Sequence, residues 1–87
     1  MIEHVRFIVT LRPGQGVRVH LSGSPVWAYV LDDENYRVFC SGRSAHGWGV
    51  KVDRAYADIR PPVHGTFNVV AWLVGSGNST VNVEVIS

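Results

Sequence analysis

Apolar residues recur at every second position in several short stretches of this chain. In Val17–Leu21 ("VRVHL"), three aliphatic residues alternate with Arg18 and His20. A period of two is that of a β-strand with one buried and one solvated face. Glycine or proline interrupts every window that is long enough for an amphipathic helix. The sequence therefore predicts an all-β fold without helices.

Turn residues separate these stretches at short and regular intervals, which is typical of a small sandwich or barrel. We predict one domain, residues 1–87, folded as a compact antiparallel β-sandwich of jelly-roll-like form. Polar turns are expected at Asp32–Asn35, and Gly75–Asn78 is expected to close a tight hairpin between the last two strands. About eight strands are predicted, near Val5–Thr10, Val17–Leu21, Val26–Leu31, Tyr36–Cys40, Gly49–Asp53, Ala57–Arg60, Phe67–Val74 and Thr80–Ile86.

Two of the predicted strands, Val26–Leu31 and Phe67–Val74, are apolar on both faces. Such strands lie centrally in a sheet and need cover on the second side from another sheet, a loop or a partner chain. Trp27, Tyr29 and Trp72 occupy alternate positions in these strands. We expect them to cover the outside of one sheet or to form an interface with another subunit.

The composition excludes several classes of function. Eight basic and seven acidic residues give a formal charge of +1, so nucleic acid and anionic membranes are not expected partners. The single cysteine, Cys40, permits no internal disulfide. His4, His20, His46 and His64 are scattered without the spacing of metal ligands, so no metal and no cofactor are predicted.

The N-terminal stretch "MIEHVRFIVTLR" carries charged residues among apolar ones. It has the pattern of neither a signal peptide nor a membrane span, so a cytoplasmic protein is expected. The acidic run Asp32–Glu34 is explained by solvation of a turn. No arrangement of catalytic residues is recognisable, and the chain is predicted not to be an enzyme.

One segment, from Asn35 to Val50, combines functional side chains with glycines. Arginine offers a planar donor for a carboxylate or phosphate, and tryptophan offers a stacking face. The alternative is structural: the glycines let the chain turn, and the arginine pairs with an aspartate. The candidate binding residues are Asn35, Tyr36, Arg43, His46 and Trp48.

Two functions remain open. The first is a protein-interaction module, with an unknown protein partner or with self-association as a homo-oligomer. The second is a sandwich that binds a small ligand or carbohydrate through its tryptophans, because indole faces stack on sugar rings.

The order of motifs "VHLSG", "DDENYRVFCSGR", "GWGVKV" and "RPPVHGTFNVVAWLVGSGNSTVNVEV" resembles the bacterial family called domain of unknown function 1883. The resemblance extends from about Val17 to Val85. It implies a compact β-sandwich without an established activity, in a family whose members are sometimes joined to a Toll/interleukin-1-receptor-like domain. A sensing or docking role is the expectation that follows from it.

Overall fold

The computed structural model describes residues 3–87, so the first two residues of the predicted domain lie outside the described part. The described chain forms seven strands and one short helix. In chain order these are β1 (Val5–Leu11), β2 (Gly16–Gly23), β3 (Val26–Leu31), α1 (Asp33–Cys40), β4 (Trp48–Val52), β5 (Tyr56–Ile59), β6 (Gly65–Leu73) and β7 (Ser79–Ile86).

The strands form two antiparallel sheets. The four-stranded sheet has the order β1-β6-β3-β4, and the three-stranded sheet has the order β5-β2-β7. The predicted all-β sandwich is confirmed. Its sheets have four and three strands, whereas an eight-stranded jelly roll has four in each.

The core lies between the inner faces of the two sheets and consists mainly of aliphatic side chains. Val17 and Val19 of β2 are 0% exposed, as their alternation with Arg18 and His20 predicts. They face Val30 and other buried residues of the four-stranded sheet across the core. Burial of these side chains is the main force that holds the two sheets together.

The predicted strand Tyr36–Cys40 is wrong, because this segment forms the last five of the eight residues of α1. The predicted turn before it is the start of the same helix: the Asp32 carboxylate accepts a hydrogen bond from the Asn35 backbone N–H and caps the helix. Asp33 and Glu34 in the first turn suit the positive end of the helix dipole. The expectation of no helix and of eight strands fails at this one element.

Helix α1 packs on the outer face of the four-stranded sheet. Phe39, which is 7% exposed, lies against Leu31 of β3 and Val70 of β6 in a second apolar cluster. The sequence predicted that the two strands apolar on both faces need cover on their second side. A helix of the same chain provides part of that cover.

The segment Gly75–Asn78 joins strands of different sheets, so the predicted tight hairpin between the last two strands is wrong. This crossing lies beside the turn from β2 to β3, to which it is hydrogen-bonded. The Ser24 N–H donates to the Asn78 carbonyl over 2.9 Å, and the Ser79 hydroxyl donates to the Ser24 carbonyl. Gly23 has a φ of +111° and lies so close to Asn78 that a Cβ would collide with its backbone. The two crossings close one end of the sandwich.

Candidate functional site

A buried asparagine attaches α1 to the sheet beneath it. Asn68 of β6 is 1% exposed, and its Nδ2 donates to the Asp33 carboxylate over 2.9 Å and to the Leu31 carbonyl over 3.4 Å. Its Oδ1 accepts from Arg6 Nε over 2.8 Å. Since a buried amide without partners is costly, these bonds fix both the asparagine and the first turn of the helix.

Tyr36 packs at the side of α1 that faces β1. The Arg6 guanidinium carbon lies 4.2 Å from the centroid of its ring, a cation–π geometry. Its hydroxyl lies 3.0 Å from His4 Nε2. Hydrogen bonding with the Cys40 side chain and burial raise the pKa of Tyr36. These contacts give Tyr36 a structural role at the junction of helix and sheet.

Asn35 shapes the loop that follows the helix. Its Nδ2 donates to Asp32 over 3.0 Å, and its Oδ1 accepts from the His46 backbone N–H over 2.8 Å. Further along, Arg43 Nε donates to the Ser41 hydroxyl over 3.1 Å. The loop is thus folded back across the N-terminus of α1, with the Arg43 side chain exposed.

A hollow lies beside the helix on the outer face of the four-stranded sheet, and we call it the aromatic hollow. The rings of Tyr29 and Trp72 are stacked, with centroids 5.5 Å apart and an interplanar angle of 17°. Phe39 of α1 lies beside this stacked pair, with its ring centroid 5.1 Å from that of Trp72. The hollow has a volume of about 240 Å³ and is lined by Tyr29, Leu31, Phe39, Arg43, Ser44, Ala45 and Trp72.

The aromatic hollow brings together residues that the sequence placed in two separate groups. Tyr29 and Trp72 come from the predicted interface group, and Arg43 comes from the predicted binding loop. Trp27 lies on the same face of the sheet, since it pairs directly with Trp72.

The other residues of the predicted loop site lie elsewhere. Trp48 pairs with Val30, whose side chain belongs to the core, and it therefore lies on the inner side of the four-stranded sheet at its edge. It lines a separate hollow with Asp58 and Arg60. His46 is exposed, and it joins the loop to Asn35 through its backbone. Roles in binding for these residues stay predictions.

A second polar cluster, on the outer face of the three-stranded sheet, was not predicted from the sequence. Arg18 binds the Asp58 carboxylate through two hydrogen bonds of 2.8 and 3.1 Å, and its guanidinium carbon lies 4.3 Å from the Tyr56 ring centroid. His20 Nε2 lies 2.6 Å from Glu84 Oε1. The Arg18 hydrogen bond lowers the pKa of Asp58. Alternation predicts that these side chains point outward, but their pairing depends on the strand register.

Among the described residues, no group of three or more histidine, cysteine, aspartate or glutamate side chains is placed to share a metal ion. In the same part of the chain no helix has the length and apolar character needed to cross a membrane. No family model, no curated protein and no solved structure shows a significant match to the chain. The resemblance drawn from the order of motifs therefore stays a prediction.

Proposed function

We propose that this protein is a non-enzymatic interaction module that binds a partner protein at the aromatic hollow. The observation that carries the proposal is the arrangement of Tyr29, Phe39 and Trp72 around a surface depression with Arg43 at its rim. Aromatic residues and arginine are over-represented among the residues that dominate binding energy at protein interfaces.

The size of the hollow favours one anchoring side chain over a whole small molecule. A volume of about 240 Å³ is smaller than the pockets of about 300–1,000 Å³ that enclose drug-sized ligands. It suits one apolar side chain of a partner. Arg43 donates to a neutral hydroxyl within its own loop and is exposed, so its remaining donors suit a carboxylate beside that anchor.

Self-association through Trp27, Tyr29 and Trp72 is the less supported form of this proposal. Helix α1 already packs against part of the face that these residues occupy, with Tyr29 and Trp72 beside it in one apolar cluster. A second copy would therefore meet the helix and its loop as well as the sheet. The docking or sensing role that the family resemblance implies, and the cytoplasmic location expected from the N-terminal sequence, belong to the same proposal.

The alternative function is binding of a small ligand or a carbohydrate. Tyr29 and Trp72 are half-buried and offer aromatic surface next to hydrogen-bonding groups of Arg43 and Ser44. A single sugar ring stacked on this surface would use the same residues. The two candidates differ in whether the bound species is a macromolecule.

Site-specific photocrosslinking distinguishes binding of a partner protein from binding of a small ligand. With p-benzoylphenylalanine in place of Ser44, we expect one discrete protein adduct in cells, which Arg43→Ala abolishes and Arg37→Ala leaves unchanged. Arg37 is the matched control because it is an exposed arginine of α1 that does not line the hollow. The absence of any adduct, or an equal adduct from the same probe in place of Arg12 in the turn between β1 and β2, would contradict the proposal.

A further inference from the structure

The sandwich is open along the side where β4 and β5 lie. In the described part of the chain, β4 is the edge strand of the four-stranded sheet and pairs only with β3. In the same part, β5 is the edge strand of the three-stranded sheet and pairs only with β2. Within residues 3–87, the outward backbone groups of Trp48–Val52 make no backbone hydrogen bond to another segment. Such an edge presents a row of donors and acceptors to an added strand.

Two adjoining hollows follow this edge, and we call them together the seam. They share Val50 in the middle of β4. One extends past Trp48 and Ile59, and the other extends past Tyr56 to the turn between the strands. Trp48 is 36% exposed and Tyr56 is 47% exposed, so apolar surface is available on both sides of Val50. The seam therefore combines unpaired backbone with a partly apolar floor.

The charges along the seam favour an acidic occupant. Lys51, the one lysine of the chain, is exposed on β4, and Arg54 and Arg60 lie farther along the seam. Of the two acids that line the seam, Asp58 is bound by Arg18 and Asp53 lies 3.6 Å from Arg54, whereas Lys51 has no ion pair among the described residues. A second copy paired through the same edge would bring no carboxylate of its β4 to Lys51, because Trp48–Val52 contains no acidic residue.

We propose that the seam accepts an extended peptide strand of a partner protein, in which aliphatic residues alternate with acidic ones. The strand forms backbone hydrogen bonds with β4 and extends the four-stranded sheet. Its aliphatic side chains lie on the inner side, against Val50 and Trp48. Its carboxylates lie on the outer side, near Lys51. This surface is separate from the aromatic hollow, so either proposal can fail without the other.

A synthetic peptide of about ten residues that alternates valine with glutamate tests the inference by NMR titration. We expect shifts and slowed hydrogen exchange at the amides of Trp48–Val52, and binding about tenfold tighter than that of a valine–lysine peptide. Lys51→Glu should remove this preference, whereas Arg43→Ala should leave the titration unchanged. A valine–glutamate peptide that is N-methylated at every residue should not bind, because it cannot donate a backbone hydrogen bond from either edge.

The other sandwich edge is the internal control. Among residues 3–87, β7 also pairs on one side only. It carries Glu84, so the acidic peptide should leave its amides unperturbed. Equal shifts at β4 and β7, or no shifts at millimolar peptide, would overturn the inference. The β4 amides of the peptide-free protein could also become better protected from hydrogen exchange as the protein concentration rises. That result would overturn the inference and indicate that a second copy of the chain pairs with β4.

Discussion

At the scale of single residues, Asn68 connects β6 to a neighbouring strand and to the start of the helix. It is buried, and it bonds Arg6 on one neighbouring strand and Asp33 at the start of α1. Asn68→Ala removes these bonds and leaves polar groups without partners, so the free energy of unfolding should fall by about 2 kcal/mol. Urea unfolding measures this change. Asn82→Ala, at an exposed position, is the control and should change stability by less than about 0.5 kcal/mol.

The Arg18–Asp58 pair should make stability depend on acid. Arg18 holds the pKa of Asp58 below its ordinary value of 3.8, so the unfolded chain binds this proton more readily than the folded one. The pair therefore stabilises the fold above that ordinary pKa, and its contribution is lost as the pH falls through the lower pKa of the folded state. Unfolding measured between about pH 6 and pH 2 should show a smaller acid loss for Asp58→Asn than for the wild type. Identical profiles would mean that the pair is absent in solution.

At the scale of elements, α1 depends on its cap. Asp32→Ala removes the acceptor of the Asn35 N–H and should lower the free energy of unfolding by about 1 kcal/mol. Asp32→Ser keeps an acceptor at this position and should recover most of the loss. Hydrogen exchange of the α1 amides locates the effect. If serine and alanine destabilise the protein equally, the cap does not support the helix.

The strands were predictable from sequence, and the helix was not. Alternation in Val17–Leu21 identifies both the strand and its buried face, since a period of two over five residues is the pattern of a half-buried strand. Helix α1 has only eight residues, so Tyr36, Phe39 and Cys40 provide a single apolar turn. The signal that could have revealed it is Asp32, an N-cap residue type, followed by the acidic residues Asp33 and Glu34 in what becomes the first turn.

At the scale of the whole molecule, the assignment of strands to sheets lay beyond the sequence. Alternation places Val69 and Val83 in the core but does not reveal that β6 and β7 belong to different sheets. The candidate site, too, could not be assembled from the sequence. Tyr29, Trp72 and Arg43 were each singled out from the sequence, but only the position of α1 brings them to one hollow.

For the molecule as a whole, we propose that the aromatic hollow binds an apolar group beside a carboxylate. An NMR titration with 3-phenylpropionate, compared with a titration with its neutral amide, tests this proposal. We expect shifts at Tyr29, Phe39 and Trp72, tighter binding of the acid, and loss of that preference in Arg43→Ala. The stability of this variant should stay within about 0.5 kcal/mol of the wild type, because the Arg43 side chain is exposed. Shifts centred away from the hollow, or equal binding of acid and amide by the wild type, would contradict the claim.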